Sequence, residues 1–253
     1  MRRIKLIIAY DGTEYSGWQI QPEAPTIEMY LDKAIHELTG ENVHVTGASR
    51  TDAGVHAYGN VAVFDTESTI PGDRFTFALN RFLPDSIVIQ DSWEVSGDFH
   101  PRHCNTRKTY EYRILNTVVP LPQKRNFAWH VAGSIDIDKM REAAAYIVGE
   151  HDFKSFCCVR TQAESTVRTI YSLEVLQEGS EILICIKGNG FLYNMVRIIT
   201  GTLIQVGKGR FKPEYVKQML EAKDRTVAGQ TAPPQGLTLV GIEYVDNDDA
   251  RVV

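Results

Sequence analysis

The sequence predicts an α+β protein made of two pseudo-duplicated split βαβ halves with largely antiparallel sheets, and three observations carry that prediction. Short apolar stretches with a period of two alternate with stretches whose apolar residues fall three or four apart. The order of these stretches in the first hundred residues is β-α-β-β-α-β, and a similar order begins again near residue 110. The 253 residues are enough for two hydrophobic cores of ordinary size.

The first half opens with an apolar strand, Ile4 to Tyr10, closed by the Asp11-Gly12 turn. Pro25-Thr26 then introduces a helix with Ile27, Tyr30, Leu31, Ala34, Ile35 and Leu38 on one face. Thr26 is its expected N-cap and Gly40 its expected stop. Val43 and Val45, then Val61, Val63 and Phe64, mark two strands around a polar loop. A short helix from Asp73 to Phe82 and a strand from Ile87 to Val95 complete the half. The second half begins with a strand from Tyr110 to Leu115 and a helix from Asp138 to Val148 that Gly149 should end. Strands from Thr169 to Leu176 and Ile182 to Lys187 follow. Helical stretches from Phe191 to Val206 and Pro213 to Ala222 and a strand from Leu239 to Val245 finish it. The expected division is 1–104 and 105–253. Sequence similarity between the halves is negligible, so the duplication rests on element order.

Charge bears on partners. The net charge of −5 argues mildly against a polyanionic ligand, yet its distribution is uneven. Residues 97 to 130 carry six Lys or Arg against two acids, and residues 187 to 212 carry five against none. Acids gather instead at Glu221, Asp224 and Asp246 to Asp249, so a basic cleft on an acidic body is one reading and two solvated faces the other. No apolar stretch reaches the length of a membrane span, and Ile4 to Ala9 is too short for a secretory signal, so a cytoplasmic location is expected. Cys104, Cys157, Cys158 and Cys185 form no C-x-x-C pair and read as reduced.

The densest chemical signal is Ser49-Arg50-Thr51-Asp52-Ala53-Gly54-Val55-His56-Ala57, which sets one carboxylate at the tip of a polar turn between apolar segments. Arg50 is the natural charge partner: a nearby guanidinium keeps a carboxylate ionised, as a nucleophile requires. A capped β-turn with no chemistry would use the same residues. His100, His103 and Cys104 lack an evident fourth ligand, so no metal site is expected. Gly207-Lys208-Gly209 lacks the third glycine of a dinucleotide fingerprint, and no nucleotide cofactor is expected.

The RTDAGVHA loop resembles the catalytic motif of the tRNA pseudouridine synthase A family. YDGTEYSGWQIQ, FHPR, TYEYRI, GEHDFKSF, GFLYNMVR and KDRTVAGQTAPPQGL resemble further segments of that family, in its order, from residue 10 to 237. Ser49 is a departure, standing where the family usually has Gly. The resemblance implies ferredoxin/RRM-like halves facing a central basic cleft, isomerisation of uridine to pseudouridine at positions 38, 39 and 40 of the tRNA anticodon stem-loop, no cofactor, and a homodimer. It implies Asp52 as nucleophile, Arg50 and Arg197 as its electrostatic partners, and Tyr110 as the substrate-binding tyrosine. An extruded base needs a surface to stack on. Tyr110 as an ordinary strand residue and Arg197 as a helix-surface residue remain open on spacing alone. His56, His100, Arg102 and Arg168 are further substrate-contact candidates, with Trp18 and Gln19 behind them. A non-catalytic RNA-binding module, and a nucleosidase with a second carboxylate, are the competing functions.

Overall fold

The computed structural model describes residues 1–158 and 164–245; the Asp246 to Asp249 acidic run lies outside them. The chain divides into two compact units, Met1–Thr106 with the segment from Thr238, and Arg107–Leu237.

In the first unit the order is β1 (Arg2–Tyr10), α1 (Ile27–Thr39), β2 (Thr46–Gly47), β3 (His56–Thr66), α2 (Phe75–Leu79) and β4 (Ile87–Val95). β1 is central, antiparallel to β3 on one side and to β4 on the other. Its even-numbered residues Ile4, Leu6 and Ile8 are fully buried, as are Leu31 and Ile35 of α1 and Phe75 and Leu79 of α2. Lys5 and Ile7 on the other face of β1 are buried as well, so the strand is covered on both faces while the helices bury one stripe each. Phe75 meets Phe64 of β3 edge-to-face at 5.3 Å. Thr26 caps α1 by accepting from the Met29 amide, and Gly40 ends it at φ 75°, as the sequence predicts. The strand expected around Val43 and Val45 shrinks to Thr46–Gly47. Asp32 accounts for part of this, because its carboxylate accepts the Val45 amide at 2.9 Å and takes that donor from a ladder.

The second unit runs β5 (Thr106–Leu115), β6 (Trp129–His130), α3 (Ile137–Ala145), β7 (Gly149–Asp152), β8 (Val167–Glu178), β9 (Glu181–Gly188), α4 (Met195–Gly207) and α5 (Tyr215–Ala222). Its strands lie in the order β5-β9-β8-β7, antiparallel throughout, with β6 added parallel to β5. Ile182, Ile184 and Ile186 of β9 are fully buried, with Tyr112 and Ile114 of β5 and Met140 and Ala143 of α3. α3 packs on β8 and α4. Of the boundaries that differ from expectation, two have an evident cause. α3 stops at the Tyr146 cap, and Gly149 at φ 116° begins β7 instead. α4 starts at Met195, since Asn194 at φ 62° cannot belong to a right-handed helix.

The last strand, β10 (Leu237–Tyr244), lies parallel beside β3, with Thr238 opposite His56 and Leu239 opposite Ala57. No helix among the described residues is long and apolar enough to cross a membrane.

Candidate active site

The polar loop ahead of β3 is fastened by main chain from the segment after β1. Trp18 N donates to Thr51 O at 3.0 Å and Gly54 N to Tyr15 O at 3.2 Å. Gly12 N donates to His56 Nδ1 at 3.0 Å. Two glycines permit this approach: a Cβ on Gly12 would collide with the Val55 carbonyl, and Gly17, at φ 98°, would bring one to 2.8 Å from Thr51 O. The YDGTEYSGW and RTDAGVHA segments, far apart in sequence, are therefore one structural object.

Side chains complete the fastening. Tyr10 Oη and Thr51 Oγ1 share a hydrogen bond of 2.7 Å. Asn60, fully buried in β3, donates through Nδ2 to Ser49 O at 2.9 Å and to Tyr10 Oη at 3.2 Å. Trp18 is buried against Gly47, where any side chain would strike the indole, so it is a structural residue, while Gln19 is exposed. Ser49 is buried and is absent from the residues with positive φ; the loop takes its left-handed residue at Gly54, φ 75°. The departure at Ser49 therefore leaves the backbone unstrained.

Asp52 stands half-buried at the start of the turn, its carbonyl accepting from Val55 N at 3.1 Å. Arg50 is exposed. His56 is buried, and its Nδ1 accepts from Gly12 N. The Asp11 carboxylate, 3.2 Å from Nδ1, is itself held by the Thr13 amide and hydroxyl. The ring is thus a support of the Asp11-Gly12 turn.

The FHPR segment belongs to the loop from Ser96 to Asn105. Arg102 N donates to His100 Nδ1 at 3.2 Å, and the His100 and His103 rings stack at 3.8 Å and 11°. Partial burial, then the charges of His103, Arg102 and Arg3, lower the His100 pKa. Arg102 lies in the field of Arg50: burial first, then that guanidinium, lowers its pKa, against an opposing pull from Glu28. Two sequence-predicted contacts, Arg50 and Arg102, are thereby brought into one electrostatic neighbourhood.

In the second unit Tyr110 is buried on β5, its ring edge-to-face with Phe191 at 5.1 Å. Arg197 lies in the first turn of α4, half-buried, with Nε donating to Ala232 O at 2.7 Å and Nη1 to Asn194 Oδ1 at 2.8 Å. It is no freely solvated surface residue. The Ala232 amide returns a bond to Arg197 O at 3.0 Å, tying the helix start to the TAPP segment. Tyr112, whose pKa burial pushes far up, donates to Pro233 O at 2.6 Å and closes the same segment. Arg168 donates to Ser165 O and Val167 O at 2.9 and 2.6 Å, and burial lowers its pKa.

Sequence reasoning missed Asn60 and Tyr10, the two side chains that hold the loop from beneath. The signal for Asn60 was available, since an amide amid Val61, Ala62, Val63 and Phe64 must find buried partners.

A family profile described as tRNA pseudouridine synthase matches residues 6–103 and 143–245. The chain belongs to that family. Tyr10 to Val55, the fastened loop pair, falls wholly inside the first matched stretch, and Arg197 inside the second. Pseudouridine synthase relatives match nearly end to end. The chain is 48% identical to tRNA pseudouridine synthase A of Brevibacillus brevis over 96% of this chain and 100% of the relative. It is 51% identical to the enzyme of that name from Ruminiclostridium cellulolyticum, with the same coverage. Among solved structures, a chain in a Cbf5-Nop10-Gar1 complex aligns with 13% identity and TM-score 0.31, over 93% of this chain and 56% of that one.

Proposed function

We propose that this synthase isomerises uridine to pseudouridine at positions 38, 39 and 40 of the tRNA anticodon stem-loop, working as a cytoplasmic homodimer. The end-to-end likeness to synthases of this name is the observation that carries the reading. The reaction exchanges a C–N glycosidic bond for a C–C bond and is redox neutral, so side chains suffice to perform it.

Asp52 is the proposed nucleophile, adding to the sugar C1′ or the base C6 and leaving once the base has turned and C5 has bonded to the sugar. The proton displaced from C5 then goes to solvent. A carboxylate serves this role when it stays ionised and held in place. Support for the second condition comes from the main-chain bonds on both sides of the turn. Arg50 and Arg197 are the proposed electrostatic partners of the carboxylate. His100, Arg102 and Arg168 are the proposed phosphate and sugar contacts, and His56 supports the loop. Extruding a base costs a few kcal/mol, and stacking on an aromatic ring offsets it. Tyr110 is the proposed ring, its plane supported by Phe191.

Tritium release from an unmodified tRNA transcript labelled at uridine C5 tests the proposal, because C5 loses its hydrogen only when the C–C bond forms. Wild type should release tritium, and Asp52→Asn should bind the transcript yet release none. Binding without release by wild type would instead mark a non-catalytic RNA-binding protein. Free uracil among the products would mark a nucleosidase.

A further inference from the structure

Lys5 occupies an unusual place for a lysine. It sits mid-strand in β1 and is 3% exposed. Its Nζ lies over three aromatic rings, at 4.7 Å from the centroid of Trp93, 4.9 Å from that of Phe99 and 4.6 Å from that of Tyr244. The rings come from β4, the Ser96 to Asn105 loop and β10. A buried ammonium is costly unless well compensated, and a methionine would fill the same space more cheaply. The charge, however, does something an apolar side chain cannot: it draws the faces of the rings toward one point and so fixes their orientation.

Phe99 is the ring that matters, because it immediately precedes His100-Pro101-Arg102. Arg3, two residues before Lys5 on the same strand face, donates to Phe99 O at 2.9 Å while paired with Asp65. Tyr244 uses its hydroxyl to donate to Pro101 O at 3.1 Å. Its ring also packs on Phe99 at 5.1 Å. β1 and β10 therefore grip the loop at two consecutive anchor points, ring and carbonyl of Phe99 and carbonyl of Pro101, on either side of His100. Arg102 follows at once, in the field of Arg50.

From this we infer that Lys5 is a positioning residue for RNA binding. Through the orientation of Phe99 it holds Arg102 and His100 in the place from which they meet the tRNA backbone, without touching RNA itself. The inference rests on the proposed synthase activity and assigns to a buried side chain part of the affinity for substrate.

The test is steady-state tritium release with Lys5→Met, Lys5→Arg, Arg102→Gln and the double variant Lys5→Met/Arg102→Gln. Wild-type release, measured in the same assay, checks the activity independently of Lys5. Lys5→Met should raise KM about tenfold with kcat within twofold of wild type, Lys5→Arg should restore most of the loss, and the salt dependence of tRNA binding should flatten in Lys5→Met. Arg102→Gln alone should raise KM, and adding Lys5→Met should raise it little further, because both changes remove the same contact. If Lys5→Met fails to fold, Phe99→Leu, which keeps apolar bulk but loses the ring, should show the same KM rise and the same lack of additivity with Arg102→Gln. An unchanged KM in the folded variant, or KM effects of Lys5 and Arg102 that multiply in full, would overturn the inference.

Discussion

At the scale of single residues, the loop carrying Asp52 is a case of main chain held by main chain, with a few side chains deciding whether it stays put. Asn60 makes two of those bonds from a fully buried position. Asn60→Ala leaves Ser49 O without its amide donor and Tyr10 Oη with one bond fewer, a cost of about 1–3 kcal/mol in stability. Its activity loss should appear chiefly in kcat, measurable beside a urea titration. Gly12→Ala is predicted to be worse, since its Cβ would meet the Val55 carbonyl, a backbone atom that cannot rotate away. That variant should lose both stability and tritium release, whereas Gly40→Ala, with open space around it and only the strain of φ 75°, should cost about 1 kcal/mol and leave turnover intact. The sequence exposed Asp52 and Arg50 through their motif; it marked Asn60 only as a polar residue amid apolar ones, without its partners, and it did not expose Lys5. Both of those lie in strands whose apolar neighbours dominate the pattern, and the partners that explain them come from other segments. Arg102 beside Arg50 was equally hidden, because pairing two positive side chains runs against any rule of local spacing.

At the scale of elements, caps and glycines were legible where the determinant is local. Thr26 and Gly40 bound α1 as read, and Thr26→Ala should lower the unfolding free energy by about 1 kcal/mol in a urea titration, with activity retained. Elements set by tertiary partners were misjudged. β2 is two residues in part because Asp32 captures a neighbouring amide, and α4 starts late because Asn194 is left-handed, its side chain accepting from Arg197. The short β6 and β7 were not foreseen at all: with two and four residues they have too few side chains to show a period of two. Within the second unit, α4 presses on the Gly229 to Ala232 segment. A Cβ on Gly201 would fall on the Gln230 carbonyl, and Thr202 Oγ1 accepts the Gly229 amide at 2.9 Å.

For the whole molecule, acid stability follows from its ion pairs. Asp65 is held below the ordinary carboxylate range by its hydrogen bonds to Arg3, Asp152 by Thr166 and then Lys223, and Glu181 by Lys124 and Arg113. Each pKa is depressed on folding, so the unfolded chain takes up protons first. The stabilisation is complete above the unfolded values near pH 4 and is lost as pH falls through the folded ones. Asp32, raised by burial, works in the opposite sense and offsets part of the loss. The urea midpoint should therefore hold from pH 7 to about pH 5 and fall as pH is lowered further to about 2.5, and Asp65→Asn should shrink that fall.

The first unit is also discontinuous, resuming at Thr238 after 131 residues that belong to the other. On the ribosome, the strand that lies beside His56 and supplies the Tyr244 ring emerges only after the whole of the second unit. Until it does, the His56–Ala57 end of β3 lacks its parallel neighbour and Phe99 one of its companions, so the His100 to Arg102 stretch is not yet gripped from both sides. A nascent chain halted at Leu237 would hold every residue proposed for catalysis and still lack the hydroxyl that pins Pro101.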